Sequence, residues 1–323
     1  MDGFRCGATG ALSQGKVYMP KFPLVALWTS FQARMYRQIT SRAMTRPMKN
    51  PNRTRTQQQL IRIALRDWGS DRHWRAIVEL QMRGSPKMLE LARLLSSSPS
   101  WRRRGLGLYI ASQLRQRKRG NDFGSIEYGL DETQALLLAG LHDTHDEVVR
   151  AAVSGLGHRP HPAALVELVR LSTHRSELLR WNVAVSLGRY AEPAAIEALL
   201  RLGGDSDDLV RNWATFGLGS LQEADTPEIR DLLWKNLQDH DAEVRGEALV
   251  GLAERGDPRV IGYLAERLDT NCRVYELDAA EKLASPLLLE ALQRTASGLN
   301  ESEVSSYWLG RLKAAIAACA ATS

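Results

Sequence analysis

Residues 207–219 read Asp-Asp-Leu-Val-Arg-Asn-Trp-Ala-Thr-Phe-Gly-Leu-Gly, and residues 241–253 read Asp-Ala-Glu-Val-Arg-Gly-Glu-Ala-Leu-Val-Gly-Leu-Ala. In both, an arginine (Arg211, Arg245) is followed three positions on by an alanine (Ala214, Ala248) and seven positions on by a leucine (Leu218, Leu252). That spacing lays apolar groups along one face of a helix. The acid ahead of each arginine is of the type that caps the free amide groups of a helix start.

The same unit recurs on either side. Asp146-Glu-Val-Val-Arg150, Ser176-Glu-Leu-Leu-Arg180 and Asn271-Cys-Arg273 align with it, which sets the five arginines 30, 31, 34 and 28 residues apart. Val153 and Val183 take the small or branched position, Leu156 and Leu187 the leucine position, and Gly157, Gly188 and Gly219 follow. Turn residues come next, with Pro162, Pro193, Pro227, Pro258 and Pro286 among them, and then a companion helix such as 194–202. A period near 31 residues marks a stacked repeat, because one helical pair cannot bury its own apolar face and neighbours must cover it. Proline suits the first turn of the companion helix, where its missing N–H would have no partner anyway.

The unit Asp-x-x-Val-Arg-x-x-Ala-x-x-x-Leu-Gly, followed by a turn and Pro-x-Ala-[Ile/Leu]-x-x-Leu, resembles the short HEAT-like repeat of the phycobiliprotein-lyase type. Residues 207–268 in particular are similar to bacterial HEAT-repeat domain proteins. The resemblance implies an all-α fold, an α-α superhelix in which the arginine-led helix is the second of each pair. It covers residues 131–294 well and extends more weakly to 85–114, where Arg102–Arg104 lead a further second helix. The expected organisation is a solenoid over 57–323, with a basic insertion at 116–129 and a capping helix at 301–321. No stretch alternates apolar and polar residues long enough to argue for a sheet, so helix is expected throughout.

Charge divides the chain more sharply than its net +6 suggests. Residues 1–120 hold 24 Lys and Arg against 5 Asp and Glu, and residues 121–323 hold 19 against 32. Residues 1–56 carry ten basic groups and one acid and lack a long helical period, so they read as an unstructured basic extension. Within it, 22–40 has the pattern of a basic amphipathic helix, with Leu24, Val25, Leu27, Trp28, Phe31 and Met35 among Arg34 and Arg37. Met44 and Met48 stand just before the regular part, so an over-extended start is an equal explanation of the first residues.

At 44% apolar and 25% charged residues the chain suits a globular protein. Its longest apolar run near the N-terminus, 23–28, is far short of a membrane span, and no membrane partner is expected. Three dispersed cysteines, Cys6, Cys272 and Cys319, form no disulfide framework or zinc motif and suit a reduced, cytoplasmic protein.

Several constellations could carry chemistry, and each has a plainer explanation. His142, His145, His158 and His161 lie close together but at turns, with no helical pairing for a metal. HEAT-type hydroxylases bind iron through His-Glu dipeptides, and this sequence has none. There is no GxSxG, P-loop or GxGxxG, and no cofactor or catalytic residue is expected. The repeated Asp and Arg read first as ladders between repeats. Trp181, Trp213 and Tyr275 sit near the starts of successive second helices, where they would form a column on the inner face or fill gaps between repeats.

The expected function is a non-catalytic scaffold whose concave face holds a protein partner through Arg180, Trp181, Arg211, Trp213, Arg245 and Glu247. One alternative is nucleic-acid binding through 50–120, with Arg102, Arg103, Arg104, Arg115, Arg117, Lys118 and Arg119 on phosphates. Another is a lyase- or hydroxylase-like enzyme related to the phycobilin lyases.

Overall fold

The computed structural model describes residues 52–118, 124–300 and 304–321. The basic segment before Asn52, with residues 22–40, Met44 and Met48, lies outside the described residues, as does Arg119.

The described chain is a row of eight helical hairpins. The first four pair α1 (Gln57–Arg66) with α2 (Asp71–Gln81), α3 (Pro86–Ser96) with α4 (Trp101–Ser112), α5 (Leu130–Gly140) with α6 (Asp146–His158), and α7 (Leu165–Leu171) with α8 (Glu177–Leu187). The row continues with α9 (Pro193–Leu202) and α10 (Asp208–Phe216), α11 (Pro227–Asn236) and α12 (Ala242–Glu254), α13 (Arg259–Ala265) and α14 (Val274–Leu283), and α15 (Leu289–Ser297) and α16 (Ser306–Ala320). Each even-numbered helix packs on the next, from α2 through to α16, so the second helices form one continuous wall. The apolar faces merge into a single core running the length of the row.

Local chemistry explains where the helices begin. Thr56 and Gln59 cap α1 reciprocally, and the Ser85 hydroxyl accepts from the Met88 N–H at the start of α3. Asp207 accepts from the Val210 N–H, and Asp241 from the Glu243 and Val244 N–H groups. Pro86, Pro193 and Pro227 open first helices, while Pro162 and Pro286 open short 3-10 turns that lead into α7 and α15.

Three local features depart from the sequence reading. Arg115–Arg117 (β1) and Ser125–Glu127 (β2) pair antiparallel, with Arg115 opposite Glu127. Strands of three residues are too short to show alternation, and side-chain bonds pin them: Arg115 Nε donates to Ser125 Oγ at 2.8 Å. The end of α10 unwinds into a π turn over Gly217–Leu221, where Gly251 on α12 comes so near that a Cβ there would lie 2.6 Å from Gly219 Cα. Arg273, aligned by sequence with Arg245, instead stands at the residue before α14, because that helix starts later relative to its turn.

Candidate interaction surface

The wall of second helices is tied together along one edge by arginines. Arg104, Arg180 and Arg211 each donate through Nε and Nη2 to both carboxylate oxygens of an aspartate in the following repeat. The Nε distances are 2.6 Å to Asp143, 2.7 Å to Asp205 and 2.8 Å to Asp239. The remaining nitrogen, Nη1, donates back to carbonyls five and six residues earlier: Ser98 and Pro99, His174 and Arg175, Asp205 and Ser206. Each aspartate also accepts from the N–H two residues on, at His145, Asp207 and Asp241. Such bidentate, charge-assisted contacts are strong and fix geometry.

The electrostatics follow from these contacts. The Arg104 guanidinium holds the Asp143 carboxyl below the usual range. Burial alone would raise Asp205 and Asp239, but the facing guanidinium and the Asp207 and Asp241 amides outweigh it and lower both. The ladder is interrupted at the fourth repeat, where His174 stands in the aspartate's place. Arg150 turns instead to Glu147, at 2.6 Å, and lies over the Tyr109 ring. Arg245 keeps the carbonyl half of the pattern, donating to Asp239 and His240.

A second ladder binds the other edge. Arg159, almost fully buried, donates to the carbonyls of Ser112, Leu114 and Tyr128 and to Thr133 Oγ1. Gln222 donates to the Gly188 and Tyr190 carbonyls, and Arg255 to those of Leu218, Gly219, Gln222 and Ala224. Burial of charge is tolerated here because the donations land on backbone carbonyls, apart from the one that Thr133 Oγ1 takes.

These contacts sort the six residues expected to touch a partner. Arg211, Trp213 and Glu247 are 7%, 6% and 6% exposed. Arg211 is held by Asp239 and Asp208, the Trp213 ring packs edge-on against Phe216, and Glu247 accepts from the Tyr275 hydroxyl at 3.0 Å. All three lie beneath the surface, since aligning motifs places residues along a helix but does not say which face they take. Trp181, Arg180 and Arg245 are half-buried and keep a face toward solvent.

Toward the ends of this wall Val78 and Tyr307 are exposed, and at its middle Leu178 and Leu209, 52% and 44% exposed, stand at matching positions of α8 and α10. Sequence reading missed them because they look like ordinary leucines of the repeat. The signal was there: each precedes the arginine by two positions, off the spacing that marks the buried face. Next to them, the Trp181 Nε1 and the Asn212 Oδ1 are buried without a hydrogen-bond partner.

The basic group at 102–119 is dispersed. Arg104 belongs to the ladder, Arg117 pairs with the buried Glu79 at 2.8 Å, and Arg115 bonds Ser125. Arg102, Arg103 and Lys118 are exposed, with Arg102 over the Trp101 ring. Behind them lies an aromatic cluster that the sequence did not reveal: Trp101 stacks on His145 at 4.2 Å, and Trp68, His73, Trp74 and Tyr109 meet edge to face. These residues are far apart in sequence, and only the stacking of α2, α4 and α6 joins them.

The four clustered histidines do separate structural work. His145 and His161 accept backbone N–H groups at turn starts, His142 is exposed, and His158 is half-buried with Nε2 3.0 Å from Gln113 Nε2. Burial, with Arg189 and Arg159 nearby, pushes His158 down to about 4. Among the described residues no three His, Cys, Asp or Glu side chains converge in a metal-binding arrangement. Cys272 and Cys319 are buried thiols, and burial pushes Cys272 up to about 12. No described helix is long and apolar enough to cross a membrane.

Comparison with known proteins agrees with this architecture. A family model described as HEAT repeats matches residues 134–219 and 210–284. Protein YibA of Escherichia coli K12 is 28% identical over 242 residues, covering 72% of this chain and 83% of YibA, and the same protein of strain O157:H7 matches equally. The X-ray structure of Escherichia coli YibA superposes with a TM-score of 0.63 at 25% identity, covering 84% of this chain and 99% of that one. With a period near 31 residues, a wall of stacked second helices and these matches, residues 134–284 are HEAT repeats, and the hairpins on either side continue the same stacked architecture.

Proposed function

We propose that the chain is a non-catalytic scaffold that binds a protein partner on the wall of second helices, centred on α8 and α10. The observation that carries this is the pair Leu178 and Leu209, exposed at matching positions on adjacent helices beside Trp181. Exposed apolar groups in a contiguous patch with an aromatic anchor are what a protein interface uses. Ladders at both edges make the wall rigid, which lowers the ordering cost of association.

On this reading Leu178, Trp181 and Leu209 make contact, with Arg180 and Arg245 at the margin. Arg211, Trp213 and Glu247 hold the wall from beneath. The test is affinity purification of the full chain from its native cell, with Leu178→Asp/Trp181→Ala compared against wild type after circular dichroism has shown equal helix content. Loss of specific partners from the variant is expected. A variant that keeps every wild-type partner overturns the reading.

Phosphate binding through 50–120 is a second reading favoured by one observation, the exposed pair Arg102 and Arg103. A gel-shift titration decides it: phosphate-driven affinity is strongest near 50 mM salt, so no shift there ends it.

A further inference from the structure

We propose that the α8–α10 face is also a seat for this chain's own basic segment, residues 22–40, which would occupy it in competition with a partner. This rests on reading that face as a binding surface.

Chemical complementarity is the first support. Between Gly3 and Arg66 the sequence has no acidic residue, and within 22–40 it sets Leu24, Leu27, Trp28, Phe31 and Met35 beside Arg34 and Arg37. The face offers Leu178, Trp181 and Leu209 for apolar contact, and the carboxylates of Glu177 and Asp208 at the first turns of α8 and α10. Asp208 already meets Arg211 and His240, whereas Glu177 makes no ion pair among the described residues. An exposed carboxylate next to apolar surface suits a segment that carries both kinds of group.

Reach is the second support. The described chain begins at Asn52, whose carbonyl accepts from Arg83 Nη2 just past the end of α2. From α2 to α8 is three steps along the wall, about 24–30 Å at 8–10 Å per packed helix. Crossing from the C-terminal to the N-terminal edge adds about 17 Å at right angles. The diagonal is roughly 30–35 Å, and residues 41–51, when extended, span about 36 Å. A tether of that length reaches α8 and leaves the far end of the row beyond its range.

The test uses the full chain and a carbodiimide that joins lysine amines to carboxylates, with mass spectrometry of the products. At about 50 mM salt, Lys16 or Lys21, which flank residues 22–40, is expected to join Glu177 or Asp208 within one chain. The yield should fall at least about fivefold near 0.5 M salt, where screening shortens to a few ångströms, and likewise in Arg34→Glu/Arg37→Glu. Absence of these products at low salt overturns the proposal. So does a mixed-isotope share near one half of these products in an equal mixture of 15N-labelled and unlabelled chains, since intramolecular products carry one isotope only and that share assigns the seat to a second copy. Partner loss in Leu178→Asp/Trp181→Ala is measured separately, so either reading can fail while the other stands.

Discussion

The Tyr275 ring of α14 lies flat against Gly246 of α12, so close that a Cβ on Gly246 would stand 2.2 Å from Tyr275 Cδ2, and the Tyr275 hydroxyl reaches Glu243 at 2.9 Å and Glu247 at 3.0 Å. Gly246 sits inside a helix, where alanine is ordinarily preferred by about 1 kcal/mol. Here the ring reverses the sign. Gly246→Ala should destabilise by about 1–3 kcal/mol through overpacking, while the same change in a Tyr275→Ala background should stabilise. Urea denaturation of the four variants checks it, and equal effects in both backgrounds would show that the ring does not matter.

The Arg211 and Asp239 side chains are each 9% exposed and bonded through two parallel contacts, so each compensates the other's burial. Removing one leaves a buried charge. Asp239→Ala should therefore cost about 3–5 kcal/mol, and the double variant Arg211→Ala/Asp239→Ala should cost less than the sum of the two single changes. A double-mutant cycle in urea measures the coupling.

Arg103 and Arg104 are neighbours in sequence with opposite surroundings. Arg103 is exposed, and Arg104 joins Asp143 and the Ser98 and Pro99 carbonyls. Arg103→Ala should shift stability by no more than about 0.5 kcal/mol, as surface changes usually do. Arg104→Ala should cost several times more. Thermal unfolding of the two variants side by side checks the contrast.

His158 links stability to pH. Its folded pKa is lowered to about 4, so the native protein favours the neutral ring and the unfolded chain, near 6.5, takes up the proton first. This contribution is fully present above about pH 6.5 and is lost as the pH falls toward 4. The loss approaches about 3 kcal/mol at 1.36 kcal/mol per pH unit. Urea midpoints at pH 7.5, 6 and 5 should fall accordingly, and His158→Gln should flatten that part of the profile.

How much of this was legible in advance can be argued from single residues. Asp207 and Asp241 marked helix starts because a cap acts within three residues of itself. Leu156, Leu187 and Leu218 marked the buried face for a similar reason, since helical spacing is local. The site was harder. Trp213 and Trp181 look alike in sequence, yet one is in the core and the other half-exposed, because a shift of one position relative to the arginine turns a side chain by about 100° around the helix.

The sequence by itself therefore determined the repeat, its period, the helical class and the order of first and second helices, all of which depend on interactions within a turn or two. The tertiary structure alone decided which arginine meets which aspartate, that Tyr275 covers Gly246, that six aromatic rings gather at the first hairpins, and that Leu178 and Leu209 remain uncovered. Those outcomes depend on how one hairpin is rotated and offset against the next. That offset is set by the packing of whole faces, which no single repeat encodes.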